Sequence, residues 1–279
     1  MKEKGVIEYM DNKELLWEFL KTPLTSADEL YERFSALPGA VFAQGELPFQ
    51  RYVYVPGERK DRVLLVAHID TVWDERYGEE KKPDGEVVDL AFKDGIFYNT
   101  NKKCGIGADD RAGCAMLWKL KDSGHSILIV DGEEHGKIGA RYIKKSNKKL
   151  FNELNNHCFM LELDHIFTNH ICFNQVINSD KFKSYIMDAT GFEDKKLQGG
   201  CDLQILSKKV CGANIGIGYQ YYHTWKEVLV LADWENTYQV LESFLAKPQE
   251  RYTSSLTKRF KSFVARNIFR VLRKLKLKK

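Results

Sequence analysis

The chain has 279 residues, of which 43% are hydrophobic and 29% are charged, a composition typical of a soluble globular protein. No apolar run approaches the roughly 20 residues that a membrane-spanning helix needs, and no secretory signal is visible at the amino terminus. The six cysteines show no CxxC spacing, which favours reduced thiols and a cytoplasmic location.

The first half of the chain begins with helices and continues with strands. Amphipathic patterns predict helices at residues 11–20 and 26–36. An alternating stretch predicts a strand at 51–57, and an apolar run predicts a buried strand at 62–70. Residues 86–98 are interpreted as a hairpin that turns at the sequence Lys-Asp-Gly.

Buried strands then alternate with helices. In chain order the predictions are a helix at 114–120, a strand at 126–136 that runs into a loop, a helix at 138–146, a strand at 158–164, a helix at 179–191, a strand at 213–218 and a helix at 234–246. This alternation predicts an α/β fold of three layers, with a mostly parallel central sheet and helices on both faces. A boundary is predicted at Pro248, between a main domain of residues 1–248 and a basic segment of residues 249–279.

Acidic and histidine side chains follow the buried strands of this predicted sheet. Because ligand sites in open α/β sheets lie at the carboxyl ends of the strands, these side chains are expected to converge at one edge. Singly, each is more often a helix cap or a solvated loop residue, but their order along the chain favours a site. Imidazole mixed with carboxylate suits zinc or a similar divalent ion. The candidates are His68, Asp70, Asp109, Asp110, Glu133, Glu134, Asp164 and His223.

The motifs VAHIDTV, GADDRAG, DGEEHGKIGA, LELD, GGCDLQIL and NIGIGYQYYHTWKE occur in this order between about residues 12 and 245. Together they resemble the co-catalytic di-zinc exopeptidases, a clan that includes peptidase T, carboxypeptidase G and the aminoacylases. The likeness is greatest to peptidase T. It implies a zinc-exopeptidase-like fold and two divalent ions, with zinc expected and manganese or cobalt as alternatives.

The resemblance also implies a role for each candidate ligand. His68 and Asp164 would ligate one ion, Glu134 and His223 would ligate the other, and Asp109 would bridge the two. The peptide bond after Asp109 is expected to be cis, as is typical of the clan.

Further roles concern residues around the ligands. Asp70 would orient His68 through its second ring nitrogen, and Glu133 would be the general base. Asp110 is expected to turn outward, away from the ions. Gly199, Gly200 and Asp202 form a possible substrate loop. The other five histidines are expected to be surface or loop residues: His125, His135, His157, His165 and His170.

The sequence departs from the peptidase T pattern between the last acidic ligand and the final histidine. Asp164 and His223 are 59 positions apart, and the predicted helix, loop and strand already occupy that span. We therefore expect no lid domain and a monomer. The predicted function is cleavage of small peptides, as in aminopeptidases and tripeptidases. The alternatives are an amidase or deacylase of N-acylated amino acids and a non-catalytic metal-binding scaffold.

The carboxy-terminal segment has its own charge pattern. Residues 251–279 contain eleven Lys or Arg and no acidic residue, whereas the rest of the chain is acidic. Apolar residues from Leu256 to Leu275 fall on one helical stripe. One interpretation is a helix that docks on the body; another is an amphipathic helix, within residues 256–279, that binds an anionic membrane surface at the inner face. No motif for specific nucleic-acid binding is present.

Overall fold

A computed structural model describes residues 11–74, 88–174, 176–196 and 200–254 of the chain. The predicted tail helix lies outside the described residues. The helices are α1 (Asn12–Leu20), α2 (Asp28–Ser35), α3 (Ala108–Leu120), α4 (Ile138–Ser146), α5 (Lys148–Leu154), α6 (Asp180–Thr190), α7 (Leu203–Leu206) and α8 (Leu231–Leu245). The strands are β1 (Val41–Gln44), β2 (Arg51–Val55), β3 (Leu64–His68), β4 (Leu90–Lys93), β5 (Ile96–Asn99), β6 (Ser126–Val130), β7 (Met160–His165), β8 (His170–Cys172), β9 (Glu193–Asp194), β10 (Gly212–Gly216), β11 (Tyr219–Gln220) and β12 (Val228–Val230).

Eight of these strands form the central sheet in the order β1-β2-β6-β3-β7-β10-β8-β9. The four middle strands β6, β3, β7 and β10 are parallel, and so is the outer pair β8 and β9. Strand β2 pairs antiparallel with β1 and β6, and β8 pairs antiparallel with β10. The predicted mostly parallel sheet is confirmed.

Helices cover both faces of this sheet, which confirms the three-layer arrangement. Side chains alternate along β3, so Leu65 and Ala67 pack with helices α1, α2, α3, α6 and α8. Leu64 and Val66 point the other way and pack with α4, α5 and α7. The continuous apolar runs in the sequence therefore arise because these strands are buried on both sides.

A second sheet of four antiparallel strands, in the order β11-β12-β5-β4, contains the predicted hairpin. Its turn is formed by Asp94 and Gly95, both of which have positive φ. A two-residue turn with positive φ at both positions matches the right-handed twist of the flanking strands and strongly favours Asp-Gly. The hairpin was predictable for this reason.

Of the histidines expected at the surface or in loops, His125 and His157 lie in loops but are buried, whereas His165 is a buried residue of β7. His157 lies in the loop between α5 and β7, with Nδ1 3.0 Å from the carbonyl of Leu154 and Nε2 2.8 Å from Ser126 Oγ. Hydrogen bonds at both ring nitrogens offset the cost of burying a polar ring. Burial lowers the pKa of His157 to about 4, so the ring is neutral in the folded protein.

The body continues past the boundary predicted at Pro248. Tyr252 donates its backbone N–H to Cys158 and accepts from the N–H of Cys211. Its ring is 5% exposed and lies 4.9 Å from the ring of Tyr185, measured between centroids. Gln249, Tyr252 and Ser254 are therefore buried parts of the body, whereas the division of the chain into a main domain and a basic segment stays a prediction.

We expect a chain that ends at Pro248 to have a much lower free energy of unfolding than a chain that ends at Ser254. Deleting a buried aromatic side chain alone typically costs about 3–5 kcal/mol. Urea unfolding of the two truncated chains measures the difference directly. Equal free energies of unfolding would contradict the assignment of residues 249–254 to the body.

The buried His157 predicts a loss of stability in mild acid. Because its folded pKa is depressed below the unfolded value of about 6.5, the unfolded state binds more protons, and stability falls as the pH drops from about 6.5 towards 4. His157→Gln should reduce that loss by about 1–3 kcal/mol. Urea midpoints measured at several pH values for both chains test this. Parallel pH profiles would show that His157 does not contribute.

Candidate metal centre

The predicted site residues converge at the carboxyl edge of the parallel strands. His68 is the last residue of β3 and stands in register with Val130 at the end of β6. Asp164 lies near the end of β7, and Asp109 is at the start of α3. His223 lies between β11 and β12, which brings the last candidate back to the same edge.

Asp109 stands in the middle of the cluster. Its Oδ1 atom is 3.2 Å from His68 Nε2, and its Oδ2 atom is 3.2 Å from His223 Nε2. The two oxygens of one carboxylate therefore contact two different imidazoles. This is the arrangement expected of a bridging ligand.

The other two carboxylates each pair with one of these histidines. Asp164 Oδ1 is 3.5 Å from His68 Nε2, and Glu134 Oε1 is 2.6 Å from His223 Nε2. Among the described residues, the donor atoms of His68, Asp109 and Glu134 all lie within 4.8 Å of one another. The structure thus brings together all five predicted ligands.

Asp70 occupies the position expected of a residue that orients His68. Its backbone oxygen and its Oδ1 atom lie 3.1 Å and 3.3 Å from His68 Nδ1. The same carboxylate accepts the backbone N–H groups of Gly132, Glu133 and Glu134 at 2.7, 3.0 and 3.1 Å. Asp70 therefore also fixes the loop that carries the two glutamates.

The expectation that Asp110 turns outward is wrong. Asp110 is fully buried, and its carboxylate accepts the backbone N–H groups of His68 at 3.1 Å and Gly113 at 3.1 Å. These bonds tie the first turn of α3 to the end of β3. A second donor cluster joins His68, Asp110 and Asp164, but the oxygens of Asp110 already accept backbone hydrogen bonds. The peptide bond between Asp109 and Asp110 is cis, as expected.

Both histidines of the cluster carry raised pKa values. Burial opposes protonation of His223, but hydrogen bonds with Asp109 and Glu134 outweigh it and raise the pKa to about 10. His68 behaves likewise, because Asp109, Asp164 and Asp70 surround it. Without another cation, these two rings hold the positive charge of the site.

The carboxylates respond in opposite directions. Burial, followed by repulsion from Asp109, raises the pKa of Glu134 to about 7 and also raises that of Asp164. Asp109 itself has a lowered pKa, because hydrogen bonds with His223 and His68 overcome the effect of burial. When all three carboxylates of the cluster are ionised, their negative charge thus exceeds the positive charge of the two histidines.

These observations fit a divalent metal centre. Imidazole nitrogens and carboxylate oxygens are the ligands that zinc and similar ions prefer, and their donor atoms already lie close together. A cation there would replace the shared protons and relieve the repulsion between the carboxylates. The second ring nitrogen of His68 faces Asp70, the outer partner that metal-binding histidines commonly have.

Glu133 lies beside the cluster but belongs to neither donor group among the described residues. Burial is the main reason that its pKa rises to about 8. Its Oε1 atom is 2.8 Å from Lys137 Nζ, and both side chains are largely buried. Lys137 has no signal in the sequence for this role, since a lysine four residues after a glutamate is common on solvated surfaces.

The predicted substrate loop is only partly described. Gly199 lies outside the described residues, and Gly200 is half-buried. Asp202 is fully buried, and its backbone N–H donates to Glu162 Oε1 at 3.0 Å. Within the described chain its carboxylate has no hydrogen-bond partner, and burial together with Glu162 and Glu133 raises its pKa. A contact between this loop and substrate stays a prediction.

Glu227 is the last residue of the motif NIGIGYQYYHTWKE, and the sequence pattern implies no role for it. It is 1% exposed and accepts hydrogen bonds from the backbone just before and within the start of α3. Burial raises its pKa to about 8, although the accepted N–H groups favour the charged form. No local pattern marks it, because its partners lie more than a hundred positions away.

The fold is similar to that of several solved peptidases. Aminopeptidase PepT from Bacillus cereus superposes with a TM-score of 0.60 at 13% identity, over 85% of this chain and 98% of that one. A tripeptidase from Staphylococcus aureus gives 0.59 at 14% identity, over 85% and 98%. The chain has the fold of these peptidases. No protein-family model and no curated protein sequence matches it.

A third similar structure is the TET1 peptidase of Pyrococcus horikoshii, with a TM-score of 0.52 at 14% identity, over 79% of this chain and 99% of that one. That protein can assemble into a tetrahedron or a large octahedral shell. The three likenesses confirm the predicted fold class.

In the described part of this chain, no helix combines the length and apolarity required to cross a bilayer.

We expect His68→Ala and Asp109→Ala to lose at least one bound divalent ion, because each removes a donor from the centre of the cluster. Titration of the metal-free chain with zinc, followed by elemental analysis, gives the stoichiometry. His170→Ala is the control, since this half-exposed histidine belongs to neither donor group among the described residues. Equal zinc content in all three variants and the unmodified chain would rule out the site.

Proposed function

We propose that the chain is a metal-dependent hydrolase that cleaves peptide bonds in small peptides. The observation that carries the proposal is the position of Asp109, whose two oxygens contact His68 and His223 separately. The likeness to solved peptidases supports the same reaction class. The proposal covers two ions, with zinc as the expected metal and manganese or cobalt as alternatives.

His68 and Asp164 would hold one ion, Glu134 and His223 the other, and Asp109 would contact both. Two divalent cations in such a centre supply the activation of water at neutral pH and the polarisation of the scissile carbonyl. Asp70 keeps the second nitrogen of His68 occupied and so fixes the orientation of the ring.

Proton transfer requires a group that is not a ligand, and Glu133 is suited to it. Its backbone N–H is held by Asp70, while its side chain lies outside the donor groups. Glu133 would accept a proton from the attacking water and deliver it to the leaving amine nitrogen. The ion pair with Lys137 limits the orientations that its carboxylate can adopt.

Access to the centre is from the loop that carries His223. The side chain of His223 is 38% exposed, whereas those of the other four ligands are at most 10% exposed. Tyr221 and Trp225 flank it and are also exposed. Apolar rings beside an open centre suit a short peptide. We also propose, from the short spacing before His223, that the chain has no lid domain, which would leave this face accessible.

Two other functions share the same centre and are separated by substrate. A deacylase of N-acylated amino acids would prefer N-acetyl amino acids over free dipeptides and tripeptides. A scaffold would bind metal without turnover. The informative experiment incubates the chain with both substrate classes and with zinc, manganese or cobalt added separately. Hydrolysis of free peptides supports the proposal, and hydrolysis of the N-acyl substrates alone supports the deacylase.

Replacing the two adjacent glutamates should separate the base from the ligand. Glu133→Gln removes the proton acceptor and should lower kcat by about 10²–10⁴-fold, with the metal content unchanged. Glu134→Gln should lower the metal content as well, because it removes a donor that contacts His223. Steady-state kinetics and elemental analysis of both variants provide the measurements.

The comparison depends on metal content as much as on rate. If both variants lose metal to the same degree, Glu133 is a ligand and the roles are wrong. If Glu133→Gln keeps full activity, Glu133 is not the base. Glu153→Gln is the matched control, because this glutamate pairs with Arg62 beyond the amino end of β3, the opposite end from His68.

We also propose a monomer in the cytoplasm, with peripheral attachment to an anionic membrane through residues 256–279. Light scattering of the full chain tests the first point, for which the shell-forming TET1 peptidase is a contrary precedent. Co-sedimentation with anionic and neutral liposomes tests the second. A chain that ends at Ser254 is the control, because it keeps the whole described body.

A further inference from the structure

Glu227 is a buried carboxylate with three backbone donors around it. Its Oε2 atom accepts the N–H groups of Ile106 and Gly107, both at 2.8 Å. Its Oε1 atom accepts the N–H of Asp109 at 3.0 Å. Three backbone N–H groups therefore bond to one side chain, and these bonds fix the turn before α3.

This carboxylate connects two loops that are far apart in the sequence. Glu227 follows His223 by four positions, and its own backbone N–H donates to Thr224 at 3.1 Å. The turn that it holds carries Asp109. One side chain therefore couples the segment of His223 to the segment of Asp109, whose side chains lie 3.2 Å apart.

Gly105 packs so closely against Glu227 that a side chain at position 105 would have no room. A Cβ atom added at this glycine would lie 2.2 Å from Glu227 Oε2 and 3.0 Å from the carbonyl oxygen of Thr224. Any larger residue would push the carboxylate away from the turn. A glycine before the turn and the carboxylate inside it are thus parts of one arrangement.

We propose that Glu227 is a positioning residue that sets the spacing between Asp109 and His223 and thereby makes the second metal position. The inference rests on the proposed function, since it concerns the ion that Glu134 and His223 would hold. Among the described residues, the hydrogen bonds of the Glu227 carboxylate go to backbone N–H groups and not to the ligand side chains. Glu227 acts through the backbone of Asp109 and through the loop that it shares with His223.

Glu227→Gln tests this with little change in volume. Its amide oxygen can still face Ile106 and Gly107, but its NH₂ group then faces the N–H of Asp109, so that bond is lost. We expect the affinity of the weaker of two zinc-binding steps to be about 10–100-fold lower than in the unmodified chain, a typical effect of removing a hydrogen bond that supports a ligand. Isothermal titration of the metal-free full chain with zinc measures both steps.

Gly105→Ala reaches the same arrangement from the other side, and it covers the case in which Glu227→Gln fails to fold. It should weaken the same binding step while leaving Glu227 in the sequence. Asn155→Ala is the matched control. This buried amide also holds a loop, through two backbone N–H groups, but at Lys208 and Lys209. Thermal unfolding of each variant measures its loss of stability, so that variants with comparable losses can be compared in zinc affinity.

The outcomes separate this inference from the proposed function. If the unmodified chain binds no metal, the proposed function fails. If it binds two ions and Glu227→Gln binds both with unchanged affinity, the inference is overturned while the proposed function stands. If Asn155→Ala weakens binding as much as Glu227→Gln, the effect is one of general stability, and Glu227 has no specific positioning role.

Discussion

The carboxylate of Asp70 is the constraint on which the candidate site depends. It is fully buried, and its neighbours are His68 and the backbone of residues 132–134. A buried carboxylate left without donors is costly, so the loop after β6 must close over Asp70 for the fold to be stable. This closure sends Glu134 towards His223 and leaves Glu133 beside the cluster. The proposed division between ligand and base thus depends on a residue that has neither proposed role.

The parts of the fold that could be predicted share a local cause. Strands β3, β6 and β7 are continuous apolar runs because helices cover both faces, and that pattern is visible in the sequence. The turn at Asp94 and Gly95 is visible because few residues tolerate positive φ. Strands β9 and β11 have two residues each, and α7 has four, so no periodicity can develop in them. Pairing with distant strands creates these elements.

The convergence of the proposed ligands could be predicted because His68 and Asp164 lie near the carboxyl ends of buried strands and Glu134 follows another, so strand order brings them to one edge. The buried polar residues with partners far away in the sequence could not be predicted. His157 is buried against Ser126, 31 positions away, and Glu227 contacts Ile106, 121 positions away. Asp110 has the same side chain as Asp109, and only its partners in the folded chain distinguish their roles. Burial of a polar residue is decided by such partners, which a sequence pattern does not contain.

The last described residues have a consequence for what the basic segment could do. Tyr252 bonds to Cys158 and Cys211, which stand just before β7 and β10, so the last described residues lie at the amino ends of the parallel strands. The ligands lie at the carboxyl ends of the same strands. A surface that captured the residues beyond Ser254 would start from the far side of the sheet. Such a tether would hold the protein by the side opposite the candidate site and leave that site turned towards the surrounding solution.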